Sequence, residues 1–348
     1  MAQSDLPQAT PPAQVRRMIA TTRGGPDVLR PEFVAPPPFG DREVLVRTEA
    51  AGVLIGDVFW QRGLIPGGPK PPFVPGYDVV GRVVDAGRDV QARIGRRVAA
   101  IVGFGGYASH VVVANDALAV VPDDIDAGVL SSLVMPYVTA RRILVRVAEA
   151  RPGATLLVHG GSGATGSALL DLARALDLRV WATAGSGKRD VVERYGARFI
   201  DRHEEDFAAR LARDVPGGVD IAVDPIGGPH FARSFRTLAP GGRLVATAAM
   251  NALQGGSTLS TVLGFAGLAL RNALPNGRRA AMFDVAAHGR KHPEHLAEDI
   301  DALAALLHEG RIDPLLDRSF PLDEAAAAQE RLLAGKACGR VWLVPDGA

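Results

Sequence analysis

The chain is 348 residues long, with 47% hydrophobic and 22% charged residues and a formal net charge of +1. At about 150 residues per domain, that length predicts two domains, and the composition is that of a globular protein. The near-neutral balance provides no basic field for nucleic acid or an anionic membrane. The single cysteine, Cys338, excludes an intrachain disulfide and fits a cytoplasmic protein.

Residues 1–14 are polar and proline-rich, with no basic n-region or apolar core, so they are expected to be a disordered lead-in and not a signal peptide. From 15 to 122 the chain is expected to be β-rich. The runs 44–47, 79–84, 97–102 and 110–113 are rich in valine, and glycine and proline punctuate them at 36–38, 71–72 and 103–106. From about 136 the rhythm becomes helix and strand in alternation: a helix over 140–150, then strands at 155–158, 179–183, 199–200, 219–223 and 243–247. Helical patterns lie between them, around 167–176, 188–195, 203–213 and 228–239. Such alternation predicts a parallel sheet with right-handed crossovers and ligands at the carboxyl ends of the strands. Residues 258–274 read as an apolar helix interrupted by Gly264 and Gly267, and the most apolar stretch, 259–270, is too short to span a bilayer. A sixth strand is expected at 280–285 and an amphipathic helix over 293–309. A last strand at 340–344 is expected to return to the β-rich domain.

The most telling stretch is Thr155-Leu156-Leu157-Val158-His159-Gly160-Gly161-Ser162-Gly163-Ala164-Thr165-Gly166. It reads as a strand, a glycine-rich turn and a helix start, the geometry that binds a dinucleotide pyrophosphate. Gly160, Gly163 and Gly166 let the backbone turn, approach the phosphates and pack helix on strand. The first turn of the helix offers unbonded N–H groups and the positive end of a dipole. Ser162, Ala164 and Thr165 complete the expected cradle. NAD-selective domains carry Asp or Glu about 20 residues on, at the end of the second strand. Here that strand runs into Gly185-Ser186-Gly187-Lys188-Arg189, without an acid. Ser186, Lys188 and Arg189 suit a 2′-phosphate, so the expected cofactor is NADPH.

Together these features resemble the zinc-free quinone oxidoreductases of the medium-chain dehydrogenase/reductase superfamily. The resemblance runs from about Arg17 to Val344. It rests on Pro75-Gly76-Tyr77-Asp78-Val79-Val80-Gly81-Arg82-Val83, on Gly105-Gly106-Tyr107-Ala108, on the turn through Gly166, on 219–228 and on 238–245. It implies an α/β fold: a GroES-like catalytic domain (15–135 and 293–348) and an inserted Rossmann domain (136–292). It also implies a nicotinamide in the cleft between them and a homodimer. By family position Thr139 lies beneath the nicotinamide, groups at Ala246 and Thr247 hold its carboxamide, and Phe283 and Val285 belong to a loop covering the cofactor. Arg202 stands where relatives often have a tyrosine over the adenosine phosphate and is expected to act as a third cation.

The resemblance also marks departures. Zinc alcohol dehydrogenases of the superfamily carry a cysteine ligand at the position of Leu54 and a histidine at that of Tyr77, with a glutamate at that of Asp78. Leu54 cannot ligate a metal. Among the histidines, His288/His292 and His292/His295 have ligand spacing, but Pro293, Arg290 and Lys291 suggest a solvated basic turn and no metal. Without a Lewis acid, reduction of a quinone or conjugated enone is favoured over carbonyl–alcohol interconversion. An asparagine and a tyrosine found in some reductases are replaced by Leu54 and Phe59, neither of which can donate a proton. The donors left are Tyr137, Tyr77, Trp60 and Thr139, with Asp57 as acceptor or orienter. Tyr137 is preferred, and solvent is an equal alternative. Leu54, Phe59, Trp60 and Tyr77 are expected to line an apolar substrate pocket. Two other functions stay open: a natural-product tailoring enzyme (enoyl reductase or redox-silent cyclase) and a non-enzymic dinucleotide-binding protein.

Overall fold

A computed structural model describes residues 12–65, 67–253 and 255–345. The expected lead-in lies outside these residues except for 12–14, which have no regular structure. The chain divides into two compact units. One comprises the chain up to Val138, Ala286–His308 and the chain from Leu316; the other comprises Thr139–Val285 and Glu309–Leu315.

The first unit opens with β1 (Val15–Ala20) paired antiparallel with β2 (Leu29–Val34). There follow β3 (Glu43–Val53), α1 (Ile55–Arg62), β4 (Asp78–Ala86), β5 (Arg97–Ile101), β6 (His110–Ala114) and β7 (Leu118–Val120). The valine runs form these strands because branched side chains pack well on a pleated surface. Val44, Val46, Val79, Val83, Val98 and Val111 are buried in one core.

The helix expected over 140–150 begins earlier. The chain is helical over 127–147, through α2 (Ala127–Ser132) and α3 (Val138–Arg141). Asp126 caps its start by accepting from the Gly128 and Val129 amides. Pro136, which suggested a boundary, is absorbed by a wider turn in which the Val138 amide donates to the Leu133 carbonyl. This run has the length and composition to cross a membrane, but 83% of its most apolar window is buried, as in the core helix of a globular protein.

The second unit alternates as expected: β8 (Thr155–His159), α4 (Ala164–Ala175), β9 (Arg179–Ala184), α5 (Arg189–Glu193), β10 (Arg198–Asp201), α6 (Phe207–Asp214), β11 (Val219–Asp224), α7 (Pro229–Arg236), β12 (Leu238–Ala246), α8 (Thr258–Ala273) and β13 (Arg279–Met282). The six strands pair in parallel in the order β10-β9-β8-β11-β12-β13. The order reverses between β8 and β11, which opens a crevice at their carboxyl ends. The sixth strand ends at Met282, earlier than expected.

Beyond it come α9 (Val285–Lys291), α10 (His295–His308), β14 (Leu316–Pro321), α11 (Ala325–Leu333) and β15 (Arg340–Val344). Glu309–Leu315 belongs with the second unit because the Asp313 amide donates to Asp171 at 2.6 Å and the Tyr195 hydroxyl donates to the Asp313 carbonyl at 2.9 Å. β15 pairs with β3 through Val341 and Val53 and completes the larger sheet, β14-β15-β3-β4-β5-β7 with β6 on β3.

That pairing carries a buried charge pair. Arg340 and Asp78 are both fully buried and bonded to each other, and Arg340 Nε also donates to the Ser131 hydroxyl at 3.0 Å. A Cβ at Gly52 would lie 1.5 Å from Arg340 Nη2, so only glycine leaves the guanidinium its place. Removing one partner strands the other charge at low dielectric, so Arg340→Met should cost about 3–5 kcal/mol in urea denaturation. The double variant Asp78→Asn/Arg340→Met should recover much of that loss; equal losses would contradict the assignment.

Candidate active site

The glycine turn is built as its sequence suggests. β8 ends in His159, Gly160 follows with φ of 75°, and α4 begins after Gly163. The Gly160 and Gly161 amides both donate to the Thr183 carbonyl at 3.0 Å, which ties the turn to β9. A Cβ at Gly166 would sit 2.1 Å from the Gly160 carbonyl oxygen, so this close crossing of backbones requires glycine. A Cβ at Gly160 would meet nothing within 4 Å. The turn therefore has an open outer face beside the first amides of α4, and those amides have no partner within the helix. Ser162 is buried in the turn. These features fit a dinucleotide pyrophosphate.

Chain segments gather at the end of β9 that the sequence left apart. The Arg202 amide donates to the Ala184 carbonyl at 3.0 Å and brings the end of β10 beside Gly185 and Ser186. Arg202 Nε donates to His203 Nε2 at 3.1 Å. Arg189 pairs with Glu193 at 2.9 Å and stacks on Phe199. Sequence reasoning missed two neighbours here. The His203 ring lies 4.0 Å from where a Gly185 side chain would begin. Asp201 accepts from the His203 amide at 2.9 Å and from the Ser186 hydroxyl, which hold its carboxyl below the usual range. A carboxylate is thus present after all, delivered by the next strand and occupied by the His203 amide of its own loop and the Ser186 hydroxyl of the loop after β9.

The crevice strands end in a buried polar cluster that was also missed. Asp224, closing β11, accepts from His230 Nδ1 at 2.7 Å and from the Ser234 hydroxyl at 2.6 Å. His159 contacts Thr183 Oγ1 and Ser234 Oγ through its two ring nitrogens, at 3.0 and 3.1 Å. Burial pushes the His159 imidazole down to about 3, so it is neutral at physiological pH. Burial opposes ionisation of Asp224, yet the His230 hydrogen bond and the neighbouring rings hold its carboxyl low. The available signal was position, since both residues close a strand at the switch point. Beside them the Thr247 amide donates to the Asp224 carbonyl at 3.1 Å, and the Phe283 amide donates to the Ala246 carbonyl at 2.9 Å. Ala246, Thr247 and Phe283 therefore form one layer along these strand ends. Phe283 and Val285 are buried, as is Thr139 on α3.

In the first unit, Leu54, Trp60 and Tyr77 are half-buried, and Trp60 Nε1 donates to the Tyr77 hydroxyl. Phe59, also expected in the pocket lining, is 6% exposed. Tyr137 is 1% exposed. Asp57 is also 1% exposed, and its two oxygens accept from the Leu54 amide at 2.8 Å, the Gly76 amide at 3.0 Å and the Tyr107 hydroxyl at 2.8 Å. It closes the first turn of α1 and clamps that turn to Gly76 and Tyr107. Of the two roles expected for Asp57, the geometry is that of an orienter.

Comparison with known proteins agrees with this architecture. Residues 40–123 match the alcohol dehydrogenase GroES-like domain, and residues 195–343 match the zinc-binding dehydrogenase family. The chain is 29% identical to the synaptic vesicle membrane protein VAT-1 homolog of Rattus norvegicus over 95% of this chain and 84% of that one. It is 29% identical to the quinone oxidoreductase of Mus musculus over 90% of this chain and 92% of that one. A mycobacterial protein solved in complex with NADPH superposes with a TM-score of 0.82 at 28% identity, over 95% of this chain and all of that one. The chain belongs to the medium-chain dehydrogenase/reductase superfamily, in its quinone oxidoreductase-like branch.

Removing the Asp57 clamp should be costly. Asp57→Ala leaves three donors unsatisfied and is expected to lose roughly 2–4 kcal/mol in urea denaturation. Burial raises the Asp57 carboxyl from 3.8 to about 7. Its stabilisation is therefore complete below about pH 4 and lost as pH rises through 7. The stability gap between wild type and variant should be widest at pH 4 and narrow by pH 8; a gap independent of pH would contradict this.

Proposed function

We propose that the protein is an NADPH-dependent, zinc-independent reductase that transfers hydride to a quinone or a conjugated enone. The carrying observation is the open glycine turn next to a second strand that ends without an acid of its own. The NADPH complex of the mycobacterial relative and the quinone oxidoreductase of the mouse support the reading. Gly160, Ser162, Gly163, Ala164, Thr165 and Gly166 bind the pyrophosphate, while Ser186, Lys188, Arg189 and Arg202 receive the 2′-phosphate. Ala246 and Thr247 hold the carboxamide, Thr139 lies beneath the ring, and Phe283 and Val285 cover it. Bound there, NADPH supplies a hydride to the substrate.

The other tasks belong to the chain's own side chains. Leu54, Trp60 and Tyr77 present an apolar wall to a planar substrate, and Asp57 fixes the backbone on which Leu54 and Trp60 stand. Charge develops on the carbonyl oxygen of the substrate, and the Tyr137 hydroxyl supplies a proton to it. A quinone needs one proton besides the hydride and ends with both hydrogens on oxygen, so solvent can replace this donor. The replacements at Leu54 and Phe59 favour one second reading, a tailoring reductase or redox-silent cyclase acting on a biosynthetic intermediate.

The experiment is NADPH consumption with a panel of quinones and enones. One or two charge-assisted hydrogen bonds to the 2′-phosphate, at roughly 1.5–3 kcal/mol each, give a preference for NADPH over NADH of about 10–1000-fold. Ser186→Asp should invert it; an unchanged ratio would remove the 2′-phosphate assignment. Tight NADPH binding without consumption by any acceptor would turn the reading to the cyclase or to a non-enzymic binder.

We also propose a cytoplasmic homodimer. Leu259, Val262, Leu263 and Leu270 of α8 are 57–66% exposed. Leu259, Leu263 and Leu270 share one stripe, on the far side of the helix from buried Leu268. β13 is the edge of its sheet, with Met282 also exposed. Light scattering should give twice 36.5 kDa, and Leu263→Lys/Leu270→Lys should give the monomer mass; a wild-type monomer would end the proposal.

A further inference from the structure

The turn between α9 and α10 brings together the histidines whose spacing the sequence showed. α9 ends at Lys291, and the His292 amide still donates to the His288 carbonyl at 3.0 Å. Pro293 lies in a turn that keeps the histidines together: the His295 amide donates to the His292 carbonyl at 3.2 Å, and the Leu296 amide to the Pro293 carbonyl at 3.2 Å. Three imidazoles meet across this turn. The ring centroids of His292 and His295 are 4.7 Å apart with planes 14° from parallel, and His288 lies 5.1 and 5.2 Å from the two. Glu294 Oε1 lies 3.4 Å from His292 Nδ1 and 3.6 Å from His295 Nε2. One ligand atom from each of these three residues lies within 4.8 Å of the others.

We propose that His292, Glu294 and His295 bind a divalent transition cation of the zinc class, with His288 as the positioning residue. Imidazole and carboxylate are the donors this class of ion prefers. Bonds of about 2.0–2.2 Å to a tetrahedral zinc separate neighbouring ligand atoms by about 3.3–3.6 Å, the spacing found between Glu294 and the two rings. The His288 Nε2 to His295 Nδ1 contact at 3.0 Å supplies the outer support such sites use. His292 and Glu294 are about half exposed, which leaves the ion an entry path and water a fourth position. Arg290 and Lys291 are exposed, so solvent screens their repulsion. This site is separate from the Leu54 and Tyr77 positions and uses neither.

A second group, His159, Asp224 and His230, also has ligand atoms close together. There, however, both His159 nitrogens are engaged by Thr183 and Ser234, and the Ser234 hydroxyl lies against all three groups. The two groups make different predictions. Untagged, chelator-treated protein is titrated with Co²⁺ and then Zn²⁺, read by visible absorption and calorimetry. One equivalent of Co²⁺ with the intense bands of a tetrahedral ion, displaced by Zn²⁺, is expected. His292→Gln and His295→Gln should each weaken binding at least 100-fold, and His288→Ala 10–100-fold. His292 is exposed and His288 and His295 are partly buried; the circular dichroism and NADPH affinity of all three variants should match wild type, which separates this test from the cofactor assignment. Absence of binding would overturn the proposal, and so would binding that survives His292→Gln and His295→Gln but is lost in His230→Ala.

Discussion

The second unit depends on one steric constraint: the backbone at Gly166 passes so close to the Gly160 carbonyl that a methyl group would lie 2.1 Å from its oxygen. That approach sets α4 against β8 and aims the first amides of the helix outward past an open turn. The hydrogen bonds from Gly160 and Gly161 to Thr183 then align the end of β9 with the turn. Two features follow from that alignment: the outward-facing first amides of α4 and the polar loop where β9 stops. The Thr247 amide bonds the Asp224 carbonyl and the Phe283 amide bonds the Ala246 carbonyl, so the other strand ends are held in register with one another.

The first unit solves a different problem, how to keep charge inside a valine-rich sheet. Asp78 and Arg340 neutralise each other with no exposure to water, in a space that Gly52 leaves vacant. Arg97 is similarly enclosed, bonded to Glu49 and to the carbonyls of Pro122, Asp123 and Ile125. Asp57 gathers two amides and a phenol. Each group is costly alone and tolerable only in its network. These networks lock distant parts of the chain together: Arg340 joins the last strand to β4, and Asp57 joins α1 to the loop before it. They give a polar skeleton to an otherwise apolar sheet, and the Asp57 network fixes the start of α1, where half-buried Leu54 and Trp60 stand.

Local pattern determined much of this protein. Valine alternation, the change to helix–strand rhythm near 136 and the glycine spacing at 160, 163 and 166 depend on neighbours a few residues away, so the β-rich first unit, the parallel sheet of the second and the glycine turn between strand and helix were legible in the sequence. Tertiary structure decided what distant residues do to one another. Only folding brings Asp201 to Ser186, joins Asp224, His159 and Ser234 at the switch point, buries Phe59, and turns Asp57 into a clamp. Even short range was deceptive at Pro293 and Pro136, where chain breakers fold histidines together and sit inside a helix. Periodicity reports which face of an element is buried; it carries no information about which polar atoms of other elements will be there to meet it.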